Sequence, residues 1–485
     1  MADPRGFLKY PRKDNPMRPI MQRVKDFNVM ELDLSDADRR QQAARCMNCG
    51  IPFCHHGVFY GGGRAVSGCP NDNLIPEWND LVYRDQDRRA FERLSRTNCL
   101  PDMTGRVCPA PCEVSCVQAL NGPGITIRNN EKFIIEQAFK NGWVVDSGKP
   151  LHRTGKKIAI VGSGPAGIAA AWRLNQLGHS VTLFERDDRF GGFLMYGIPN
   201  MKLPKEIVQR RIDTLRQIGV KLVPNTEVGK DITADELKKD FDRVILCTGS
   251  RQSRDLDVPG RELKGIYQAP EFLKMATKNI LKNGTEANSL LKGKHVLVLG
   301  GGDTGNDCIG TAIREGCAGI TQLEIMPPLP KERTPQNQWP EWPMVLKTGY
   351  GQKEAKALFG DITEYSATAT SFFGKNGHVT EAEISQVDHF KPIAGTEKKI
   401  KADIVVLAMG FTGAEQWLFD QFGITKTNAN YTTNDNQIYV AGDCVAVPAS
   451  LSGGFMKAGC VRRRLMLHCR RWRMRRFNDY LFTRY

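Results

Sequence analysis

The spacing of apolar residues changes once along this chain, near residue 156. Before that point they recur at helical intervals in short patches broken by proline and glycine, as in NEKFIIEQAFKNG (130–142). After it, short unbroken apolar runs alternate with helix-like segments. KKIAIV (156–161) ends at Gly162, GPAGIAAAWRLNQLG follows, and SVTLFER (180–186) comes next. That is the order of a βαβ unit, which builds a parallel sheet. It recurs from Lys294 in HVLVLG, GGDTGNDCIGTAIREG and ITQLEI. RVILCTGS (243–250) and IVVLAMGF (404–411) are two similar strands running into glycine turns, and QIYVAGD (437–443) is a last strand. SGKPLHRTGKK (147–157), rich in breakers and basic residues, reads as a linker.

The pattern predicts an α/β chain. A helical domain occupies residues 1–150, followed by two Rossmann-like dinucleotide-binding domains, the second inserted in the first. One takes 151–287 and 402–485, the other 288–401.

Each βαβ unit carries a glycine motif at its first turn. Gly162, Gly164 and Gly167 allow a tight turn and close approach of the backbone to a pyrophosphate seated on a helix N-terminus. Glu185, at the end of the next strand, stands where a carboxylate accepts from a ribose hydroxyl. Gly300, Gly302 and Gly305 repeat the motif, with Glu324 in the corresponding place. An acid there favours an unphosphorylated ribose, yet Lys331 or Arg333 just beyond could reach a 2′-phosphate, so NADH and NADPH both stay open. Two such sites imply a flavin at one and a hydride donor at the other. Gly442 and Asp443, after the last strand, suit the ribityl–pyrophosphate region of a flavin, which assigns FAD to the first motif and NAD(P)H to the second.

Cysteine usage adds the next carrier. Of 14 cysteines, eight lie between Cys46 and Cys116. Cys247 and Cys308 stand apart in a strand and a helix, so no dithiol adjoins a nucleotide motif, which disfavours a disulfide reductase. The spacings Cys46-x2-Cys49-x4-Cys54, then Cys69-Pro, then Cys108-x3-Cys112-x3-Cys116 fit zinc or iron–sulfur. Structural zinc usually takes paired ligands, often with histidine, and His55 and His56 are at hand. The irregular spacing beside a flavin and a nicotinamide site favours iron–sulfur.

The formal charge of +15 is concentrated at one end: residues 461–485 carry nine arginines against one aspartate. No recognition module accompanies them, so nucleic acid is not an expected partner. No apolar run is long enough to span a membrane, no secretory h-region opens the chain, and a cytoplasmic location is expected.

RCMNCGIPFC, GCPNDNLIPEWNDLVY, TGRVCPAPCEVSC, GSGPAG, GGFLMYGIPNMKLPK, GGGDTGNDC and PQNQWPEWPMVLKTGYG resemble, in order, the small (beta) subunit of bacterial glutamate synthase. The related N-terminal part of dihydropyrimidine dehydrogenase shares several of them. The resemblance implies two [4Fe–4S] clusters, one on Cys46, Cys49, Cys54 and Cys116, the other on Cys69, Cys108 and Cys112 with Glu131 as a non-cysteine ligand. It also implies that Gly192, Lys202 and the stretch from Met195 border the flavin. The implied activity is oxidation of NAD(P)H through FAD and the clusters. A large (alpha) subunit, in a hetero-oligomer, then makes glutamate from glutamine and 2-oxoglutarate. An oxidoreductase of the same build serving a ferredoxin or a pyrimidine-reducing partner is the alternative, and a zinc-bound scaffold the rival from another class. After Asp443 the family's Gln-Ser-Leu stretch is missing. SGGFMKAG would open the helix expected there, and a shifted reading frame near codon 444 would account for the arginine-rich segment that follows.

Overall fold

The computed structural model describes residues 2–59, 66–285, 290–428 and 430–445. The SGGFMKAG and arginine-rich segments lie outside the described residues.

The N-terminal domain is helical. Asp36–Ala44, Ile75–Tyr83, Asp87–Leu94, Pro101–Val107 and Ile127–Lys140 pack around Trp78, Leu94, Met103, Ile127 and Ile134, each almost fully buried. Short cysteine-bearing loops run between these helices.

Two five-stranded parallel sheets follow. The first has the order Ile438–Val440, Arg243–Leu246, Lys157–Val161, Ser180–Phe184, Lys221–Val223. The second has the order Thr363–Tyr365, Gly319–Glu324, His295–Leu299, Ile404–Leu407, Ile266–Gln268. Strands covered on both faces read as continuous apolar runs, which is why KIAIV and HVLVL announce themselves in the sequence. The first sheet is completed only by Ile438–Val440, after the second sheet has closed, so the second domain is an insertion in the first.

The sequence boundaries shift at both joints. Ile266–Gln268 pairs with Ile404–Leu407, and the latter with His295–Leu299, so both strands belong to the second sheet. The boundaries at 287/288 and 401/402 assign them to the flavin domain instead. Strand propensity alone cannot say which of two parallel sheets a strand joins. A small antiparallel sheet built on Ala367–Lys375 and His378–Asp388 decorates the second domain. No motif marks it.

The three parts interlock through buried charges. Arg211, on the helix Lys205–Gln217 of the first nucleotide domain, donates from Nε and Nη2 to both oxygens of Asp102 at 2.9 and 2.8 Å. Asp102 belongs to Pro101–Val107 of the helical domain, and neither side chain is more than 1% exposed. Lys202 meets both oxygens of Asp307, on the helix Asp303–Arg314 of the second nucleotide domain, at 2.5 and 2.6 Å. The segment 17–32 crosses from the helical domain to the other two. The Met30 N–H donates to the Met201 carbonyl at 3.0 Å, and Asn200 donates to the Phe27 carbonyl at 2.9 Å. Arg23 donates to Glu354 at 2.6 Å, and Arg314 meets the other oxygen of that carboxylate at 2.7 Å.

Removing one partner of a buried pair strands the other charge, at a cost of about 3–5 kcal/mol. Asp102→Ala is therefore expected to destabilise the chain by about that amount in urea unfolding. The double change Asp102→Leu with Arg211→Met should recover much of the loss, because it leaves no unpaired charge. Equal stabilities for wild type and Asp102→Ala would show that the pair does not tie the domains.

Candidate functional site

The two glycine loops are built alike. Gly162 (φ +96°) and Gly300 (φ +121°) sit in the left-handed region, each against the end of the neighbouring strand. A Cβ on Gly162 would lie 2.7 Å from the Cys247 carbonyl, and one on Gly300 2.5 Å from that of Ala408. Gly167 and Gly305 then pack on their own loops, where a Cβ would fall 1.9 and 2.0 Å from the Gly162 and Gly300 carbonyls. Gly164 and Gly302 cap the helices Pro165–Gln176 and Asp303–Arg314 with open N-termini, the geometry that receives a pyrophosphate.

The acids repeat as well. Glu185 accepts from the N–H of Ser163 at 3.1 Å and of Asp187 at 2.9 Å, and from the Ser163 hydroxyl. Glu324 accepts from the N–H of Gly301 at 2.8 Å and of Met326 at 2.9 Å. Each carboxylate thus braces its glycine loop.

Around the first loop lies a cleft of about 1040 Å³, open to solvent. Gly162, Gly164, Glu185, Gly192 and Asp443 all line it, as the sequence predicts. Gly442 (φ +82°) is buried and turns the chain to bring Asp443 there. Several other lining residues carry no sequence signal. Phe193 and Phe411 stack at 5.6 Å between centroids, and the Arg251 guanidinium lies 4.9 Å from the Phe193 ring centre. Arg186 is tied to Glu415 at 2.9 Å. Phe193 opens the short helix Phe193–Tyr196 and Phe411 the strand Phe411–Gly413, at no fixed spacing from the glycine motif.

Of the stretch Met195–Lys202, only Ile198 reaches this cleft. Met195, Tyr196 and Met201 are buried in the core. Gly197, Ile198 and Lys202 instead line a second cavity of about 520 Å³, in which Lys202 is neutralised by Asp307. That cavity joins all three domains. Phe193, Ile198 and Phe411 are shared with the large cleft, Asp303, Thr304 and Asp307 come from the helix behind the second glycine loop, and Val107 immediately precedes Cys108. Arg333 spends its guanidinium on the carbonyls of Asn337 at 3.1 Å and Glu341 at 2.8 Å, closing its own loop.

Cys46, Cys49, Cys54 and Cys116 line one cavity of about 350 Å³, closed by Ile75, Ile125, Ile127 and Asn79. They surround a space rather than converge on a point. Among the described residues no group of three or more His, Cys, Asp or Glu is arranged for a single metal ion. Neither His55 nor His56 lines the cavity, and His56 faces Asp72 at 3.1 Å. Burial pushes Cys46 up to about 12 and Cys54 far above its ordinary value, with Cys116, Cys46 and Cys49 adding to the rise at Cys54. Bound iron reverses this, because its charge ionises ligating thiols. The four sulfurs and their apolar walls fit a cluster.

Burial raises Cys112 in the same way, with Cys69 and Cys108 adding to the rise. Burial raises Cys108 too, with Glu131 and Cys69 adding to it. Glu131 is 7% exposed and raised to about 7 by burial, and it accepts from Thr104 and, at 3.1 Å, from Asn98. Among the described residues its second oxygen has only a long contact of 3.4 Å to Asn73. Cys69 donates its N–H to the Cys54 carbonyl at 2.8 Å, so the two sets share backbone. Cys308 is a core residue of its helix. Cys247 is not alone, since Cys444 lies near it, but burial raises both thiols, Cys444 to about 11, and keeps them protonated.

The fold and these sites define a flavin- and pyridine-nucleotide-dependent oxidoreductase with an iron–sulfur domain. The family model described as pyridine nucleotide-disulphide oxidoreductase matches residues 156–338 and 373–466. The model described as dihydropyrimidine dehydrogenase domain II, 4Fe-4S cluster, matches residues 23–143. The chain is 48% identical over 463 residues to the glutamate synthase (NADPH) small chain of Bacillus subtilis, covering 91% of this chain and 93% of that one. It is 42% identical over 461 residues to the small chain of Mycobacterium tuberculosis, with 91% of each covered. It is 41% identical over 463 residues to the glutamate synthase (NADH) of Schizosaccharomyces pombe, covering 91% of this chain and 22% of that one. The chain belongs to the glutamate synthase small-chain family. No helix among the described residues is long and apolar enough to cross a membrane.

Because the two loops are alike, they can be broken separately. Gly167→Ala is expected to cost about tenfold or more in flavin retention, measured by absorbance after gel filtration. Gly305→Ala should keep the flavin and weaken nicotinamide binding by a similar factor in titrations. Loss of flavin from Gly305→Ala alone would reverse the assignment of the two sites.

Proposed function

We propose that this chain is the electron-input subunit of a glutamate synthase. Bound FAD would supply hydride acceptance from NADPH and one-electron release, and two [4Fe–4S] clusters would supply single-electron transfer to a large subunit that forms glutamate from glutamine and 2-oxoglutarate. The Gly162 loop, Glu185, Gly192 and Asp443 hold the flavin, and the Gly300 loop with Glu324 holds the nicotinamide dinucleotide. Cys46, Cys49, Cys54 and Cys116 ligate one cluster. Cys69, Cys108 and Cys112, with Glu131 through its less engaged oxygen, ligate the other.

The cavity shared by all three domains carries this reading. Phe193 and Phe411 separate it from the flavin cleft, the helix of the second glycine loop forms one wall, and the residue before Cys108 forms another. Phe193, Phe411 and the helix Asp303–Arg314 would border both a nicotinamide and a flavin there, beside the cluster domain. The Lys202–Asp307 pair fixes the distance between the two nucleotide domains at this junction. NADPH is favoured by the named specificity of the small-chain relatives, which match over nearly their whole length.

Anaerobically purified protein is expected to show flavin bands on a broad iron–sulfur shoulder near 400 nm that bleach on addition of NADPH, with NADH slower. Glutamate should form only when a glutamate synthase large subunit is added. Flavin bands without the shoulder would remove the electron-wire reading. Bleaching without glutamate, but with reduction of a ferredoxin or a pyrimidine, would transfer the chain to another acceptor.

A further inference from the structure

Asn79 is fully buried on the helix Ile75–Tyr83, and its side chain lines the cavity of Cys46, Cys49, Cys54 and Cys116. Its Nδ2 has no hydrogen-bond partner of good geometry among the described residues. A buried amide without a partner costs on the order of 1–3 kcal/mol, so such groups are kept where something else satisfies them.

The direction of this amide is not arbitrary. Its Oδ1 accepts from Nδ2 of Asn130 at 2.8 Å, and Asn130 is also fully buried. The Oδ1 of Asn130 accepts in turn from Arg39 at 3.1 Å. Arg39, 2% exposed, donates also to Oδ1 of Asn15, whose own Nδ2 donates to Glu31 at 3.0 Å and to Asp33 at 3.2 Å. A guanidinium can only donate and a carboxylate only accept. Arg39 therefore obliges Asn130 to present oxygen to it and N–H to Asn79, and Asn79 must present oxygen to Asn130. Its N–H is left facing the sulfurs.

We propose that the Asn79 amide donates a hydrogen bond to the sulfur of the cluster held by Cys46, Cys49, Cys54 and Cys116, raising that cluster's reduction potential, and that Arg39 and Asn130 are positioning residues that fix its direction. Reduction adds negative charge to the cluster, and a donor aimed at its sulfur stabilises the reduced form more than the oxidised one. The inference rests on the ligand assignment proposed above.

The test is a mediated redox titration of the intact chain, followed by electron paramagnetic resonance, in wild type, Asn79→Leu and Asn130→Asp. The leucine of the first variant keeps the volume and loses the donor. The carboxylate of the second accepts where the Asn130 amide donated, so that Asn79 turns its N–H away from the cluster. In both variants one cluster couple is expected to fall until its oxidised-to-reduced ratio at fixed poise rises about tenfold, which is about 59 mV for one electron. The other cluster and the flavin should stay where they are, and iron and sulfide content should be unchanged. An unmoved couple in a fully loaded Asn79→Leu protein overturns the proposal, as does an equal shift of both clusters. Should neither variant hold its cluster, wild-type protein carrying 15N in its asparagine side-chain amides decides. A nitrogen coupled to the reduced cluster supports the proposal, and no such coupling overturns it. Wild-type protein without iron would instead strike at the ligand assignment itself.

Discussion

Three domains that pass electrons to one another must be held at fixed separations, and here buried charge does the holding. Arg211 with Asp102, Lys202 with Asp307, and Arg23 with Arg314 around Glu354 each cross a boundary between domains, and all are nearly inaccessible to water. Such pairs give little net stability over apolar packing, because desolvation offsets much of their attraction. They are intolerant of misplacement, however. A greasy interface can slide by an ångström at small cost, whereas a buried ion pair that slides leaves two unsolvated charges. The Lys202–Asp307 pair sits in the wall of the cavity where Phe193, Phe411 and the helix of the second glycine loop meet.

Within that frame the two nucleotide domains solve one problem twice. Each has a glycine in the left-handed region beside the next strand, a second capping a helix, a third packed on the first, and an acid gripping the loop from below. The likeness reaches individual hydrogen bonds, so the difference between a flavin site and a nicotinamide site does not come from the loops. It comes from what surrounds them. The first loop opens into a deep cleft walled by Gly192, Arg251 and Asp443, and the helix of the second borders a narrower space shared with its neighbours.

Both βαβ units, the cysteine spacing and several residues that line the cleft at the first glycine loop were legible in the sequence, because each depends on local spacing. A strand followed by three glycines and an acid is a short-range statement, and Gly162, Glu185 and Asp443 duly converge. What escaped depends on distant pairing. Ile266–Gln268 and Ile404–Leu407 lie far apart in sequence and meet only as neighbours in the second sheet. Lys202 reads as a residue at the flavin's border until Asp307, 105 residues away, is brought against it. Arg333 reads as a cation for a 2′-phosphate until its own loop folds around it. Asn79 carries no signal at all, since an asparagine in an apolar helix becomes meaningful only when the cysteines and Asn130 close around it.

The segment 17–32 also bears on the order in which the molecule is made. Arg23 emerges from the ribosome early, but its carboxylate partner is 331 residues further on. At synthesis rates of roughly 5–20 residues per second, that is about 15 seconds to a minute of waiting. The helical domain can collapse around Trp78 in the meantime and residues 27–30 can dock on Asn200 and Met201, yet Arg23 waits for the inserted nucleotide domain to supply its carboxylate. Final closure of the strap thus waits on translation: a nascent chain cut short before Glu354 would leave Arg23 without its carboxylate.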